Sequence, residues 1–243
     1  MRGQGTVYVL GFATSVCVVC SLAIAGTALG LRPLQNVNIE IDKKKNVLAA
    51  AGLVVSKDKV LETFEAKVRA KVVDLEAGTL SDKSMADLNE KQLAADVYKM
   101  TPEEAKYRPV YLVGEGSSEV TIVPIAGKGL WSTVYGFLAL QKDRNTIKGV
   151  TFYKHGETPG LGGECDKEWF TSNFVGKTMR NAKGEISFGV AKSKASKPSC
   201  QRFGGVDHCV DGMSGATITS NGITELMQRA MRDYSGFFAA KGG

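Results

Sequence analysis

Between Arg2 and Arg32 the chain carries no charged residue, and Thr6 to Leu31 (TVYVLGFATSVCVVCSLAIAGTALGL) is dominated by Val, Leu, Ala, Cys and Ile. About 20 such residues cross a bilayer as a helix, so the run predicts one membrane anchor within residues 1–34. Ala23-Ile24-Ala25 offers the small residues of a cleavage site. The apolar run nevertheless exceeds the h-region of about 7–15 residues found in signal peptides, which favours an uncleaved anchor. Neither Cys17 nor Cys20 follows a small residue, which argues against lipidation. Arg32, Lys43, Lys44 and Lys45 outnumber Arg2 on the short side. Taken alone, the positive-inside rule places the large domain in the cytoplasm; Glu40 and Asp42 lie among those lysines, however, and long domains translocate regardless of charge.

The rest of the chain is globular in composition. Of the 243 residues 43% are hydrophobic and 23% charged, enough for one or two domains with a sizeable core. The net charge of +6 is spread among acids, and no helix-turn-helix or zinc-finger pattern is present, so a nucleic-acid partner is not expected. Some basic residues are expected to face anionic lipid or a partner subunit. Cys17 and Cys20 share a face of the predicted anchor, where small residues are ordinary packing material and a metal or cluster pair is the rarer alternative. Cys200 and Cys209 suit a disulfide in an oxidising compartment. His208 with the same two cysteines imitates a zinc site that lacks a fourth ligand.

Residues 35–106 read as a helical membrane-proximal region. Gln35 to Ala50 continues the anchor as a stalk, and Val60, Phe64, Val68 and Val72 recur every four residues, predicting an amphipathic helix that ends near Gly78. Ser84 to Val97 is a further helical candidate, and Thr101-Pro102-Glu103-Glu104 is a helix-start box. From Tyr107 the texture turns to β-rich runs at Val110–Val113, Val120–Ile125, Ser132–Leu140 and Ile147–Tyr153, an antiparallel pattern. Cys165–Val175 suggests a short helix, Ile186–Ala191 a strand and Lys192–Lys197 a basic loop. Ile223, Leu226, Met227, Ala230, Met231, Tyr234, Phe237 and Phe238 then mark one buried face of a terminal helix. One of Thr219, Ser220 and Asn221 is expected to cap it, leaving the Thr217 hydroxyl just ahead of a helix start that favours anions.

Three motifs carry the chemistry. Asp211-Gly-Met-Ser214-Gly215-Ala216-Thr217 precedes the terminal helix, and its small residues let the backbone approach a ligand. His155-Gly-Glu157-Thr158-Pro159-Gly160-Leu161-Gly162-Gly163 demands a fixed loop of close approach. Gly127-Lys-Gly129-Leu-Trp131-Ser132 leads into a strand. Together, and in the chain order Gly127, His155, Asp211, they resemble the FMN-binding domains of sodium-pumping NADH:quinone reductases and of the related Rnf complexes.

The resemblance implies an α+β fold, with a single N-terminal transmembrane helix, further helices and an antiparallel-rich sheet, and an FMN-binding domain over residues 107–243. It implies that a separate flavin transferase esterifies one FMN, through its phosphate, to Thr217, with Asp211, Ser214, Gly215 and Ala216 forming the signature. Glu157, Thr158, Pro159, Gly160, Leu161 and Gly162 would lie beside the flavin ring, with Trp131 at the turn that opens the domain. No catalytic residue and no metal are expected in the isolated chain. There is no Gly-x-Gly-x-x-Gly fingerprint for NADH, and one membrane helix is too little for an ion path. The implied role is an electron relay between redox subunits of a bacterial inner-membrane complex, the flavin domain lying outside the cytoplasm and sodium export coupled elsewhere. The long membrane-proximal region favours the sodium pump over an Rnf-type ferredoxin:NAD oxidoreductase. From a different class, a membrane-anchored module holding a non-redox ligand is the alternative.

Overall fold

A computed structural model describes residues 5–239. Arg2, used in the charge comparison above, lies outside them, as does the end of the expected flavin domain beyond residue 239. Contacts divide the chain into two units between Asp42 and Lys43. The first is helical: α1 runs over Thr6–Ala50, so the expected anchor and stalk are one helix. An 18-residue window of it reaches a mean hydropathy of 2.2 with none of that window buried. It is long and apolar enough to cross a membrane. Cys17 and Cys20 are exposed on it and free.

The second unit is built on a six-stranded antiparallel sheet in the order β2-β1-β3-β4-β5-β6. After α2 (Val60–Lys67) come β1 (Val68–Asp74) and β2 (Thr79–Ser81), then the short helices α3 (Glu90–Leu93) and α4 (Pro102–Ala105). The sheet continues with β3 (Tyr107–Val113), β4 (Val120–Lys128), β5 (Thr133–Leu140) and β6 (Ile147–Lys154). There follow α5 (Glu168–Thr171), β7 (Gly189–Val190), α6 (Lys197–Cys200), β8 (Cys209–Val210), α7 (Thr217–Asp233) and α8 (Ser235–Ala239), with β7 and β8 forming a small parallel pair.

The region expected to be helical before Tyr107 is corrected in two places. The single helix expected from Val60 to near Gly78 stops at Lys67, and Val68 turns extended to begin β1, whose register on β3 sets Val68 opposite Val113 and Val72 opposite Pro109. A spacing of four keeps residues on one face of a helix, but four is even, so it does the same on a strand. The β-branched density of Val68, Val72 and Val73 decides for the strand. The helix expected over Ser84–Val97 is broken by two capping boxes, Ser84 with Asp87 and Asn89 with Gln92, whose side chains take backbone N–H groups that a continuous helix would need. Thr101 does cap α4 as its motif requires, accepting from the Glu104 N–H at 3.2 Å.

The core lies between the sheet and α7. Val123, Ile125 and Leu138 meet Ile223, Leu226, Met227, Ala230 and Met231 from α7, and the Phe152, Phe170, Phe174 and Phe188 side chains close the other end. Two glycines permit the contact. A Cβ on Gly127 would lie 2.5 Å from the Leu226 Cβ, and one on Gly222 would lie 2.0 Å from the Lys128 carbonyl oxygen. In an open helix, Gly222→Ala would stabilise by up to about 1 kcal/mol. Here the methyl meets backbone, and a net loss of about 1–3 kcal/mol is expected in urea denaturation; a gain would show that α7 stands further from β4.

Cys200 and Cys209 form a disulfide, and both are fully buried. Bonded sulfurs are not thiolate ligands, so the imitation zinc site with His208 falls away; the His208 Nδ1 instead lies 2.9 Å from the Thr178 hydroxyl. Closing so short a loop restricts the unfolded chain by about 2–3 kcal/mol. Reductant should therefore lower the wild-type urea midpoint, and replacing both cysteines by serine should lower it at least as far, because two hydroxyls then enter the core. An unchanged wild-type midpoint in reductant would contradict this. Cys165 is free and buried, and its thiol is pushed up to about 12 by burial and then by Asp166 and Glu157 nearby, which leaves it an inert core residue.

Candidate functional site

The site is assembled around one buried carboxylate. Glu157, 5% exposed, leaves the loop after β6 and reaches under the turn between β4 and β5. Its Oε1 accepts from the backbone N–H groups of Trp131 (2.9 Å) and Ser132 (3.1 Å), and its Oε2 accepts from the Leu130 N–H at 3.0 Å. The Thr219 hydroxyl, from the first turn of α7, donates to the same Oε2 at 2.6 Å. Burial by itself would raise the carboxyl pKa, but the Thr219 hydroxyl and the three N–H donors outweigh it and hold Glu157 below the usual carboxylate range. One anion thus ties three chain segments together.

Small residues make that convergence possible. A Cβ on Gly129 would lie 2.6 Å from the Glu157 Oε1, and one on Gly162 would lie 2.5 Å from the Thr219 Oγ1 and 2.8 Å from the Glu157 Oε2. The Glu157–Gly163 loop is closed by the Leu161 and Gly163 N–H groups donating to the Thr158 carbonyl at 3.1 and 2.9 Å. Thr158, Pro159 and Gly160 form its exposed tip. His155, beside it, accepts the Glu157 N–H through Nδ1 and presents Nε2 to Asp166 at 3.5 Å, so it acts as a loop fastener.

The Asp211–Thr217 segment meets this loop from the other side. Met213 and Ala216 are buried and hold the turn down, while Ser214, Gly215 and Thr217 are exposed. Gly215 sits at φ +70°, a left-handed conformation that glycine adopts without strain, and a Cβ there would lie 2.8 Å from the Leu161 side chain. Asp211 points elsewhere. Its Oδ1 accepts from the Ala195 N–H at 2.7 Å, tying the segment to the basic loop after β7.

The start of α7 differs from the sequence expectation. None of Thr219, Ser220 and Asn221 caps it: Ala216 is the capping residue, it offers no side-chain bond, and Thr217 is the first residue of the helix. Thr219 and Ser220 lie in the first turn on the same inward stripe as Ile223, Leu226 and Met227, which is why their hydroxyls are buried and not turned back on the backbone. The Thr219 hydroxyl is spoken for by Glu157, whereas the Ser220 Oγ is buried with no hydrogen-bond partner. Thr217 alone of the hydroxyls in this turn is exposed.

Four large apolar side chains remain exposed on the three segments: Leu130 at 49%, Trp131 at 71%, Leu161 at 43% and Ile218 at 57%. Of these, Leu130 and Ile218 were not singled out from sequence, nor was Thr219 as the partner of Glu157. Only the even spacing Thr217, Thr219 within a helix start hinted that one threonine faces out and the other in.

Residues 129–232 match the family described as FMN-binding domain, a span that opens at the Glu157-bound turn and includes the Asp211–Thr217 segment and α7. The α+β fold expected from sequence stands, and it defines the chain as an FMN-binding-domain protein with a long apolar N-terminal helix. NqrC of Pseudomonas aeruginosa, one of the subunits of its Na(+)-translocating NADH-quinone reductase, is 40% identical over 92% of this chain and 90% of its own length. The corresponding protein of Vibrio alginolyticus is 35% identical over 88% and 86%. The chain belongs to this NqrC family. Crystal structures agree: NqrC from Parabacteroides distasonis superimposes with a TM-score of 0.70 at 27% identity over 87% of this chain and 98% of that one. NqrC of Shewanella oneidensis gives 0.66 at 30% identity over 80% and 94%.

Proposed function

We propose that this chain is the electron-relay subunit of a membrane Na+-translocating NADH:quinone oxidoreductase, carrying one FMN joined through its phosphate to the Thr217 hydroxyl. The observation that carries the attachment point is the contrast between the two threonines: Thr217 is exposed at the first position of α7, and Thr219 is consumed by Glu157. The residues suit a flavin mononucleotide. The start of α7 has no capping side chain, so its first N–H groups are left to favour the negative charge of the phosphodiester, the Ser220 Oγ is an orphaned donor in the same turn, and Gly215 leaves the approach open. Leu130, Trp131, Leu161 and Ile218 offer apolar surface for the ring.

FMN supplies the chemistry when bound, taking up two electrons and giving them up singly; the protein supplies position and environment. In that division of labour Glu157 fixes the Trp131 turn and the start of α7, and Asp211 fixes the base of the segment. Both roles are structural in the mature protein. A covalent ester keeps the flavin in place without a free pool, which suits a domain outside the cytoplasm. The Cys200–Cys209 disulfide supports that placement, because such bonds persist in oxidising compartments, and it outweighs the flanking lysines. The remaining subunits of the complex would deliver and remove the electrons, a separate flavin transferase would form the ester, and α1 would hold the domain at the lipid. In-gel flavin fluorescence of denatured chain, expressed with and without the transferase, tests this: fluorescence is expected only with the transferase, and fluorescence from chain made without it would overturn the division of labour.

A further inference from the structure

Lys192, Lys194 and Lys197 stand exposed on the loop that follows β7, and none has a carboxylate partner among the described residues. Arg202 adds a fourth exposed cation, with its guanidinium on the Val190 carbonyl at 3.2 Å. This loop is not a free tether. The Cys200–Cys209 disulfide closes it, Ser196 caps the single turn of α6, the Ala195 N–H donates to Asp211, and the Gly212 N–H donates to the Ser193 carbonyl at 2.8 Å. Where loop and segment meet the backbones are in contact, since a Cβ on Gly212 would lie 2.1 Å from the Ala191 carbonyl oxygen. Asp211 and Gly212 open the very segment that ends at Thr217. The result is a fixed array of unpaired positive charge anchored to the attachment turn.

We propose that this stapled basic loop is the docking surface for an acidic face of the protein that attaches flavin to Thr217. The inference rests on the reading of Thr217 as the attachment site. Among the described residues no group of three or more His, Cys, Asp or Glu is placed to hold a metal ion, which fits the reading that a separate protein brings the phosphoryl-transfer machinery to this turn. In the encounter the bond from the Thr217 Oγ to phosphorus forms while the phosphoanhydride of a flavin dinucleotide breaks. The hydroxyl proton passes to a base on the partner, a nucleoside monophosphate leaves, and no electrons change hands. A polybasic tail can attract anionic lipid without any shape of its own. Three lysines carried on a backbone held by a disulfide and by hydrogen bonds to the attachment segment are displayed in a set order from a set surface, and such an array of charge is recognised by a complementary protein face, which speeds association and sets its orientation.

The test uses the full-length chain in detergent, made without the transferase, mixed with purified transferase, Mg2+ and a flavin dinucleotide. The charge reversal Lys192→Glu/Lys194→Glu/Lys197→Glu is expected to lower the second-order rate constant of flavin attachment about tenfold at low ionic strength, and to flatten its salt dependence. The final yield and thermal midpoint should stay as in wild type, because the three side chains are exposed. The Lys→Arg version should keep the wild-type rate, and Lys59→Glu/Lys142→Glu/Lys148→Glu, a reversal elsewhere on the surface, should stay within about twofold. Wild-type rate in the loop reversal would overturn the proposal. So would an unchanged rate accompanied by lost binding to phosphatidylglycerol vesicles, which would make the loop a membrane contact. If wild-type chain gains flavin at a residue other than Thr217, or gains none, it is the underlying reading of the attachment site that fails.

Discussion

Thr217→Ala is expected to abolish covalent flavin while leaving the fold intact. The side chain is exposed, so its removal leaves no cavity and no unpaired buried group, and the change in stability should fall within about 0.5 kcal/mol. Thr217→Ser keeps a hydroxyl at the first position of α7 and should still accept the flavin. Thr219→Ala provides the contrast. It removes one donor from the Glu157 carboxylate and should cost about 1–2 kcal/mol, yet it leaves the Thr217 hydroxyl in place. In-gel fluorescence should therefore be absent in the first variant and present in the other two. Fluorescence in Thr217→Ala would mean that another hydroxyl carries the phosphate, and the buried Thr219 could serve only if the first turn of α7 unwound.

Loss of the Glu157 carboxylate should have the largest effect on stability. Glu157→Ala strands three backbone N–H groups and one hydroxyl in a partly buried site, at a cost of about 3 kcal/mol or more. Glu157→Gln is nearly as informative, because each carboxylate oxygen accepts two donors and an amide has only one acceptor oxygen; its NH2 group would face donors. The pH dependence follows from the depressed pKa. The folded carboxyl titrates below the unfolded value near 4.5, so its contribution is complete above about pH 4.5 and is lost as pH falls further, through the folded pKa. Below pH 4.5 the unfolded state binds more protons than the folded one, and stability falls with acid. Urea denaturation from pH 7 to acid should therefore show the gap between wild type and Glu157→Gln narrowing only below pH 4.5. A gap that is constant into the acid range would show that charge at this position contributes nothing. Flavin attachment should slow in both variants, since the Trp131 turn and the start of α7 lose their common anchor.

The strands from Tyr107 to Lys154 were legible because short β-branched runs separated by glycine and polar turns leave little else to form. α7 was legible because its apolar positions repeat at three and four. Val60 to Val72 misled because a period of four fits both a helix and a strand, and only pairing with β3, forty residues later in sequence, decides between them. Such pairing is non-local and invisible in a window. At the site, the motif residues could be named individually, but their geometry could not. Glu157 reads as a loop acid near a ligand, and only the fold reveals that its oxygens are occupied by Leu130, Trp131, Ser132 and Thr219. Likewise Ser and Thr near a helix start read as caps, and here the burial of the inward face of α7 overrides that preference.

The most direct test is the mass of the intact full-length chain, purified after co-expression with a flavin transferase and mapped by tandem mass spectrometry. The account predicts an increment equal to FMN less one water, located on Thr217, together with a mass two hydrogens lighter for the Cys200–Cys209 bond. A chain that weighs no more than its amino acids, or an increment located on any other residue, would contradict it.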